Sequence, residues 1–221
     1  MTAAAEPWPT TLAEARAVQQ ALRGRVVTEG ALPPLRRIAG IDVHYAPRFE
    51  LAWAAVAILD ALSLELVESV LAAVPVSFPY VPGYLSFRET PAVLAALPLL
   101  RERPDLLMVD GQGLAHPRRF GIACHIGLLT DIPTIGVAKS RLVGAYEEPA
   151  PERGSASPLT LRGQRVGTVL RTRDGVNPLF VSVGHRIDLD AATDLVLATT
   201  RGRRLPEPTR IADLLSRAHP L

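Results

Sequence analysis

Three acids and one lysine have the types and spacing to do chemistry. Asp42 lies in the otherwise apolar stretch "RIAGIDVHYA", Asp110 closes "PDLLMVDG", and Glu89 follows a proline-rich segment, "PVSFPYVPGYLSFRE". A hard divalent cation such as Mg²⁺ needs carboxylate oxygens converging from separate elements, and once held it can activate a water. The chain has 24 Lys and Arg residues, and Lys139 in "PTIGVAKSRLVG" is its sole lysine. Lysine is a compact point charge on a thin stem, whereas arginine brings a planar fork. Each residue alone has a plainer reading: turn chemistry for Asp110 before Gly111, a helix start for Glu89, an arginine pair for Asp42, a chance surface position for Lys139. Asp213 sits early in a C-terminal helix, where the macrodipole favours any carboxylate, and sequence physics alone gives no reason to bring it to a metal.

The elements that must position these groups follow from hydrophobic periodicity. "TLAEARAVQQALRGRV" is an amphipathic helix with Thr11 and Glu14 placed for a capping box. "RRIAGIDVHYA", "LAWAAVAILDA" and "LELVESVLAAVP" are strands with short breaks between them, hence an antiparallel meander. A loop then leads to a helix expected to start at Thr90, with Pro91 in its first turn. "PDLLMVDG", "GIACHIGLLTD" and "PTIGVA" form a strand, a helix and a strand, which implies a parallel pair. Residues 146–164 are expected to be a loop, followed by two strands around a turn in "RVGTVLRTRDGVNPLFVSVGH". A helix running to Gly202 and a last helix in "PEPTRIADLLSRA" complete the chain. No internal repeat is present, so residues 1–221 are expected to form one α/β domain around a central mixed sheet flanked by helices.

Composition bounds the function. The chain has 221 residues, 48% of them hydrophobic, with a net charge of +2; that permits a nucleic-acid partner without demanding one. One cysteine, Cys124, excludes an internal disulfide framework and a multi-cysteine zinc site. The N-terminus lacks a basic region followed by a long apolar run, and no apolar stretch is long and unbroken enough to span a bilayer. A cytoplasmic protein, with nothing calling for more than a monomer, is the expectation. His219 is expected to be exposed.

Two loops stand out. In "FPYVPGYLSF" two prolines, Pro79 and Pro82, bracket Tyr80 and Val81, stiffening an apolar tip that suits insertion between base steps; a proline-rich connection packed on the core is the plainer alternative. "DGQGLAHPRRFGIACHIG" is dense in glycine, which lets backbone approach a flat ligand closely. His116 there could be a metal-shell group, a phosphate contact or a helix cap, and His125 fits a packed helix histidine.

An acid inside the first strand and another at the end of a buried parallel strand resemble the arrangement of ribonuclease H-like nucleases. More specifically, "GIDVHY", "PYVPGYLSFRE", "PDLLMVDGQGLAHPRRFGIACHIG", "PTIGVAKSRLVG", "NPLFVSVGHRIDL" and "GRRLPEPTRIAD" resemble the endonuclease V family, in family order, over residues 36–213. The resemblance implies a ribonuclease H-like fold and a Mg²⁺-dependent phosphodiesterase in which Mn²⁺ can substitute. The implied substrate is DNA containing deoxyinosine. Cleavage is implied at the second phosphodiester bond 3′ to the lesion, leaving a 3′-hydroxyl and a 5′-phosphate. Asp42, Glu89 and Asp110 become catalytic metal-binding carboxylates, and Asp213 falls where the family offers a further active-site acid or a histidine. Pro79, Tyr80, Val81 and Pro82 fall on the DNA wedge. Gly83, Leu85, Gly111, Gly121 and Ile122 fall on the base pocket, and Arg88 and His116 on other active-region positions. In this setting Lys139 is expected to contact the scissile phosphate or to orient the attacking water. The alternatives are a nuclease of the same fold acting on inosine-containing RNA or on mismatched or branched DNA, and a binder that does not cleave. Loss of a metal carboxylate would mark the binder, and all three are present.

Overall fold

The computed structural model describes residues 8–218 apart from 31, 33, 47 and 49; His219 and the first seven residues lie outside the described residues. Among these, eight strands form one sheet in the order β3-β2-β1-β4-β5-β8-β7-β6. The strands are β1 (Arg37–Tyr45), β2 (Leu51–Asp60), β3 (Leu66–Pro75), β4 (Leu106–Val109), β5 (Thr134–Ala138), β6 (Ala156–Leu161), β7 (Gln164–Leu170) and β8 (Leu179–His185). The helices are α1 (Leu12–Leu22), α2 (Leu85–Ala96), α3 (Ile122–Thr130), α4 (Leu189–Ala198) and α5 (Glu207–Ala218). β1 pairs parallel with β4, and β4 with β5. The β1–β2–β3 meander and the β5–β8–β7–β6 run are antiparallel. This is the ribonuclease H-like α/β architecture, a mixed sheet flanked by helices, that the sequence implies.

Strand periodicity sorts the core onto two faces. Ala39, Ile41, Leu107 and Val109 pack with Ala92 and Val93 of α2 and Ile126 of α3. Ile38, Leu106 and Met108 point the other way, into the cluster holding Ala192 and Val196 of α4. β2 is buried along nearly its whole length. Alanine is a poor strand former, but its small side chains suit a strand covered on both faces. Gly40 of β1 marks the closest approach: a Cβ there would lie 1.9 Å from the Pro208 carbonyl oxygen, so α5 begins directly on top of β1.

Three expectations need correction. The second helix starts at Leu85, so Glu89 lies inside it and Pro91 is interior. A proline there leaves the Phe87 carbonyl without its helical donor, and the Trp8 indole N–H fills that place at 2.8 Å. Residues 156–161, expected within a loop, form edge strand β6 against β7; an edge strand tolerates Pro158, which has no ladder hydrogen to give. α4 stops at Ala198, short of Gly202, where the Thr199 and Thr200 hydroxyls donate back to Leu195 O at 2.8 Å and Val196 O at 2.7 Å.

Candidate active site

Parallel pairing of β1 with β4 brings two acids together. Asp42 lies within β1, one residue past its pairing with β4, and Asp110 follows β4 with its N–H donating to Ile41 O at 3.0 Å. Because α5 crosses β1 at Gly40, its next turns carry Asp213 and Ser216 over the same strand ends. One carboxylate oxygen from each of Asp42, Asp110 and Asp213 lies within 4.8 Å of the others. Ser216 Oγ donates to Asp42 Oδ2 at 2.5 Å. Lys139 follows β5, and its Nζ lies 2.5 Å from Asp110 Oδ2 and 2.8 Å from Asp213 Oδ1. Arg204 fixes the lysine backbone, donating to Lys139 O at 2.6 Å while also reaching Asn177 O and Pro178 O.

This arrangement concentrates negative charge out of water. Burial raises Asp42 to about 7, against the Ser216 hydrogen bond and with the Asp110 charge adding to the rise. Glu89 is raised to about 8, chiefly by burial, while the Tyr45 hydroxyl donates to its Oε1 at 2.8 Å and the Asp42 and Asp110 charges push it further up. For Asp213, burial works upward, but the Lys139 and Arg217 contacts outweigh it and hold the acid below its ordinary value. Hard oxygen donors converging from β1, the end of β4 and α5, with Asp42 penalised for ionising, suit a hard divalent cation. Glu89 stands outside the set of three converging oxygens but close enough to share their field.

The proline-bracketed loop leaves its tip free. Tyr80 is 70% exposed and Pro79 and Pro82 are exposed, whereas the flanking Phe78 and Gly83 are buried. Arg88 Nη1 donates to Phe78 O at 2.7 Å, and its guanidinium lies 4.6 Å from the Tyr45 ring centroid. At the other root, Gly83 O receives Gln19 Nε2 at 3.0 Å, His116 Nε2 at 2.9 Å and Arg118 Nη2 at 2.5 Å. The His116 Nδ1 accepts from the Arg118 backbone N–H, so Nε2 carries the proton. Burial lowers His116 to about 4, helped by the Arg118 charge; the ring is neutral and its contacts belong to the loop root.

Among the glycines expected to surround a base, Gly111 and Gly121 permit close approaches. A Cβ on Gly111 would lie 2.6 Å from Ile122 Cγ2, and one on Gly121 would lie 2.2 Å from Gln112 O. The turn after β4 and the start of α3 thus fit into each other. Leu85 opens α2, directly after the loop root.

Sequence reasoning named the acids and the lysine but missed three of their supports, Ser216, Tyr45 and Arg204, and missed Gln19 at the loop root. Ser216 had a legible signal, being one helical turn from Asp213. Tyr45, Arg204 and Gln19 act across long sequence separations and carried no local signal.

An endonuclease V family model matches residues 20–214. The endonuclease V of Nostoc punctiforme is 54% identical over 212 residues, covering 96% of each chain. A crystal structure of the Streptomyces avermitilis endonuclease V is 53% identical, covers 95% of this chain and 93% of its own, and superposes with a TM-score of 0.91. The Ciona intestinalis endonuclease V, solved with a 24mer DNA containing an inosine followed by a ribo-adenosine, is 29% identical. It covers 93% of this chain and 96% of its own at a TM-score of 0.82.

Proposed function

The chain belongs to the endonuclease V family, and from that premise we propose a metal-dependent repair endonuclease, one catalytic domain over residues 1–221, that recognises deoxyinosine in DNA. It hydrolyses the second phosphodiester bond 3′ to the lesion and leaves a 3′-hydroxyl and a 5′-phosphate. The observation that carries this reading is the convergence of Asp42, Asp110 and Asp213 oxygens within 4.8 Å, beside the only lysine in the chain. The inosine-containing DNA held by the Ciona relative supports the substrate class.

Asp42, Asp110 and Asp213 would hold Mg²⁺, with Mn²⁺ able to substitute, and Glu89 would complete the acidic wall. A cation there supplies positive charge to the phosphoryl oxygens and makes water a better nucleophile. Water attacks phosphorus, the bond to O3′ breaks, and O3′ leaves with a proton. The Asp110 and Asp213 carboxylates set the height of the Lys139 ammonium, which meets the developing charge on the scissile phosphate. A guanidinium fork at that position would bring two donors to carboxylates that one ammonium now serves.

Recognition falls to the other half of the site. The exposed tip at Pro79, Tyr80, Val81 and Pro82 enters the gap that the displaced nucleotide leaves, and the two prolines limit the conformations lost on insertion. Backbone at Gly83, Leu85, Gly111, Gly121 and Ile122 reads the extruded base. Arg88 and His116 serve by holding the loop root.

The test is a duplex with one deoxyinosine, labelled at the 5′ end of the lesion strand. One nick, one nucleotide 3′ of the inosine, is expected with protein and Mg²⁺, and none with chelator or with Asp110→Ala. Inosine-containing RNA in parallel lanes tests the alternative substrate; a 2′-hydroxyl next to the inosine in the Ciona complex makes that arm worth running. Folded protein that binds the lesion but cuts neither strand type would overturn the enzymatic reading.

A further inference from the structure

Gln19 is a fully buried side chain on α1, a helix to which the chemistry above assigns no part. A buried primary amide is tolerated only when its donors and acceptor are served, and here they are. Nε2 donates to Gly83 O at 3.0 Å and reaches Phe120 O at 3.4 Å, while Oε1 accepts from Arg118 Nε. A leucine of similar size would fill the space without needing any of these contacts.

The two carbonyls it joins matter. Gly83 is the root of the apolar loop, and Phe120 immediately precedes Gly121 and Ile122 at the start of α3. They are 37 residues apart in sequence, on the two backbone segments between which the extruded base is read. Gly83 has φ +81°, a conformation that depends on glycine. Its carbonyl, with three donors converging on it, cannot turn without breaking several hydrogen bonds. The other side of the same peptide is tied as well, because Tyr84 N–H donates to Val81 O at 2.9 Å. α1 is itself seated by Trp8, whose ring stacks on His125 of α3 with centroids 5.3 Å apart and whose N–H serves Phe87 O of α2.

We propose that Gln19 is a positioning residue for lesion recognition: its amide staples the Gly83 and Phe120 carbonyls and so fixes the gap between the inserting loop and the glycine-lined base site. This rests on the insertion reading given above. Gln19 touches neither substrate nor metal, and its effect passes through the Gly83 peptide.

The experiment uses a duplex with 2-aminopurine beside the inosine, whose emission rises when its stack opens, in the Asp110→Asn background so that the strand stays intact. Saturating parent protein should raise the emission. Gln19→Met keeps the volume but loses the amide. It should bind the inosine duplex about tenfold more weakly relative to an undamaged duplex, the scale of one buried hydrogen bond, and should give a smaller emission rise even at saturation. Thr11→Ala removes the α1 cap without touching the staple and should behave as the parent does. If Thr11→Ala loses the signal equally, general loosening of α1 is the cause and the proposal falls. A flat parent signal overturns the insertion reading and the proposal with it. A full rise with Gln19→Met overturns the proposal alone. Should Gln19→Met fail to fold, Gln19→Glu keeps the shape and the Arg118 contact at Oε1 but puts an acceptor where the donor to both carbonyls was. It must then show the reduced rise at saturation; an undiminished rise overturns the proposal.

Discussion

At the strand ends, Asp42, Asp110 and Asp213 crowd carboxylates together with Glu89 nearby, and the groups answer that crowding by resisting ionisation or by sharing one lysine. At the loop root, about the same number of polar groups meet in a comparable degree of burial, yet Gln19, His116 and Arg118 aim donors at a neutral carbonyl. The first region is electrostatically incomplete and the second is complete. Chemistry on a phosphate needs charge that can be engaged by a cation and a substrate; holding open a gap in a base stack needs rigidity before the substrate arrives. Under the proposed function, the first region would offer charge to a cation and a phosphate, and the second would be a scaffold assembled before the substrate arrives.

The largest test of that contrast is loss of strand cleavage in Asp110→Ala, on the order of a thousandfold or more, with inosine-duplex affinity falling far less. Equal losses of cutting and binding would mean that the acids also do the recognising. Next comes Lys139→Arg, expected to melt within a few degrees of the parent and to cut about a hundredfold more slowly in single turnover. Near-parent turnover would show that only the charge at this position matters.

The two regions should also have opposite pH signatures in metal-free protein. Asp42 and Glu89, raised by burial to about 7 and about 8, bind protons more readily folded than unfolded. Their stabilisation is full below about pH 4 and is lost as pH rises through 7 to 8. His116 and His125, lowered by burial to about 4, contribute stability above pH 6.5 that is lost as pH falls to about 4. Denaturation midpoints across pH should show Glu89→Gln flattening the alkaline limb and His116→Gln the acid limb. Added Mg²⁺ should suppress the alkaline limb alone; one variant moving both limbs would show the regions to be coupled.

Gly83→Ala forces a side chain onto φ +81° and brings a Cβ within 2.9 Å of Arg118 Nη2. A loss of roughly 1–2 kcal/mol is expected in denaturant titration, with Mg²⁺ binding by calorimetry unchanged. The smallest effect belongs to Arg217→Ala, whose exposed i,i+4 pair with Asp213 is worth only about 0.3–0.5 kcal/mol. A larger change would mean that this arginine, and not Lys139, governs Asp213.

The acids of the first region were legible because strand alternation and strand ends are local properties. Asp42 and Asp110 could be placed from a few residues on either side of each. Asp213 could not, because only the close passage of α5 over Gly40 delivers it. The second region was legible at its exposed tip, where proline and glycine are conspicuous, and hidden at its root. Those same residues concealed the start of α2: Pro91 read as a first-turn proline, whereas the Trp8 N–H lets it sit inside. β6 was hidden by the glycine, serine and proline of a segment whose partner strand, more than its own composition, makes it a strand.

A chain with one lysine has one ε-amine for reagents to find. Lys139 Nζ is 35% exposed through its side chain; burial alone would favour the free amine, but the Asp110 and Asp213 contacts prevail and keep it ammonium above its ordinary range. The free amine, not the ammonium, is the nucleophile, so acylating agents are expected to react more slowly here than at an unpaired lysine. Removing its carboxylate companions, or drawing them away, is expected to raise the amine's reactivity. The chain thus carries, within its own composition, a covalent reporter of the state of its acidic site.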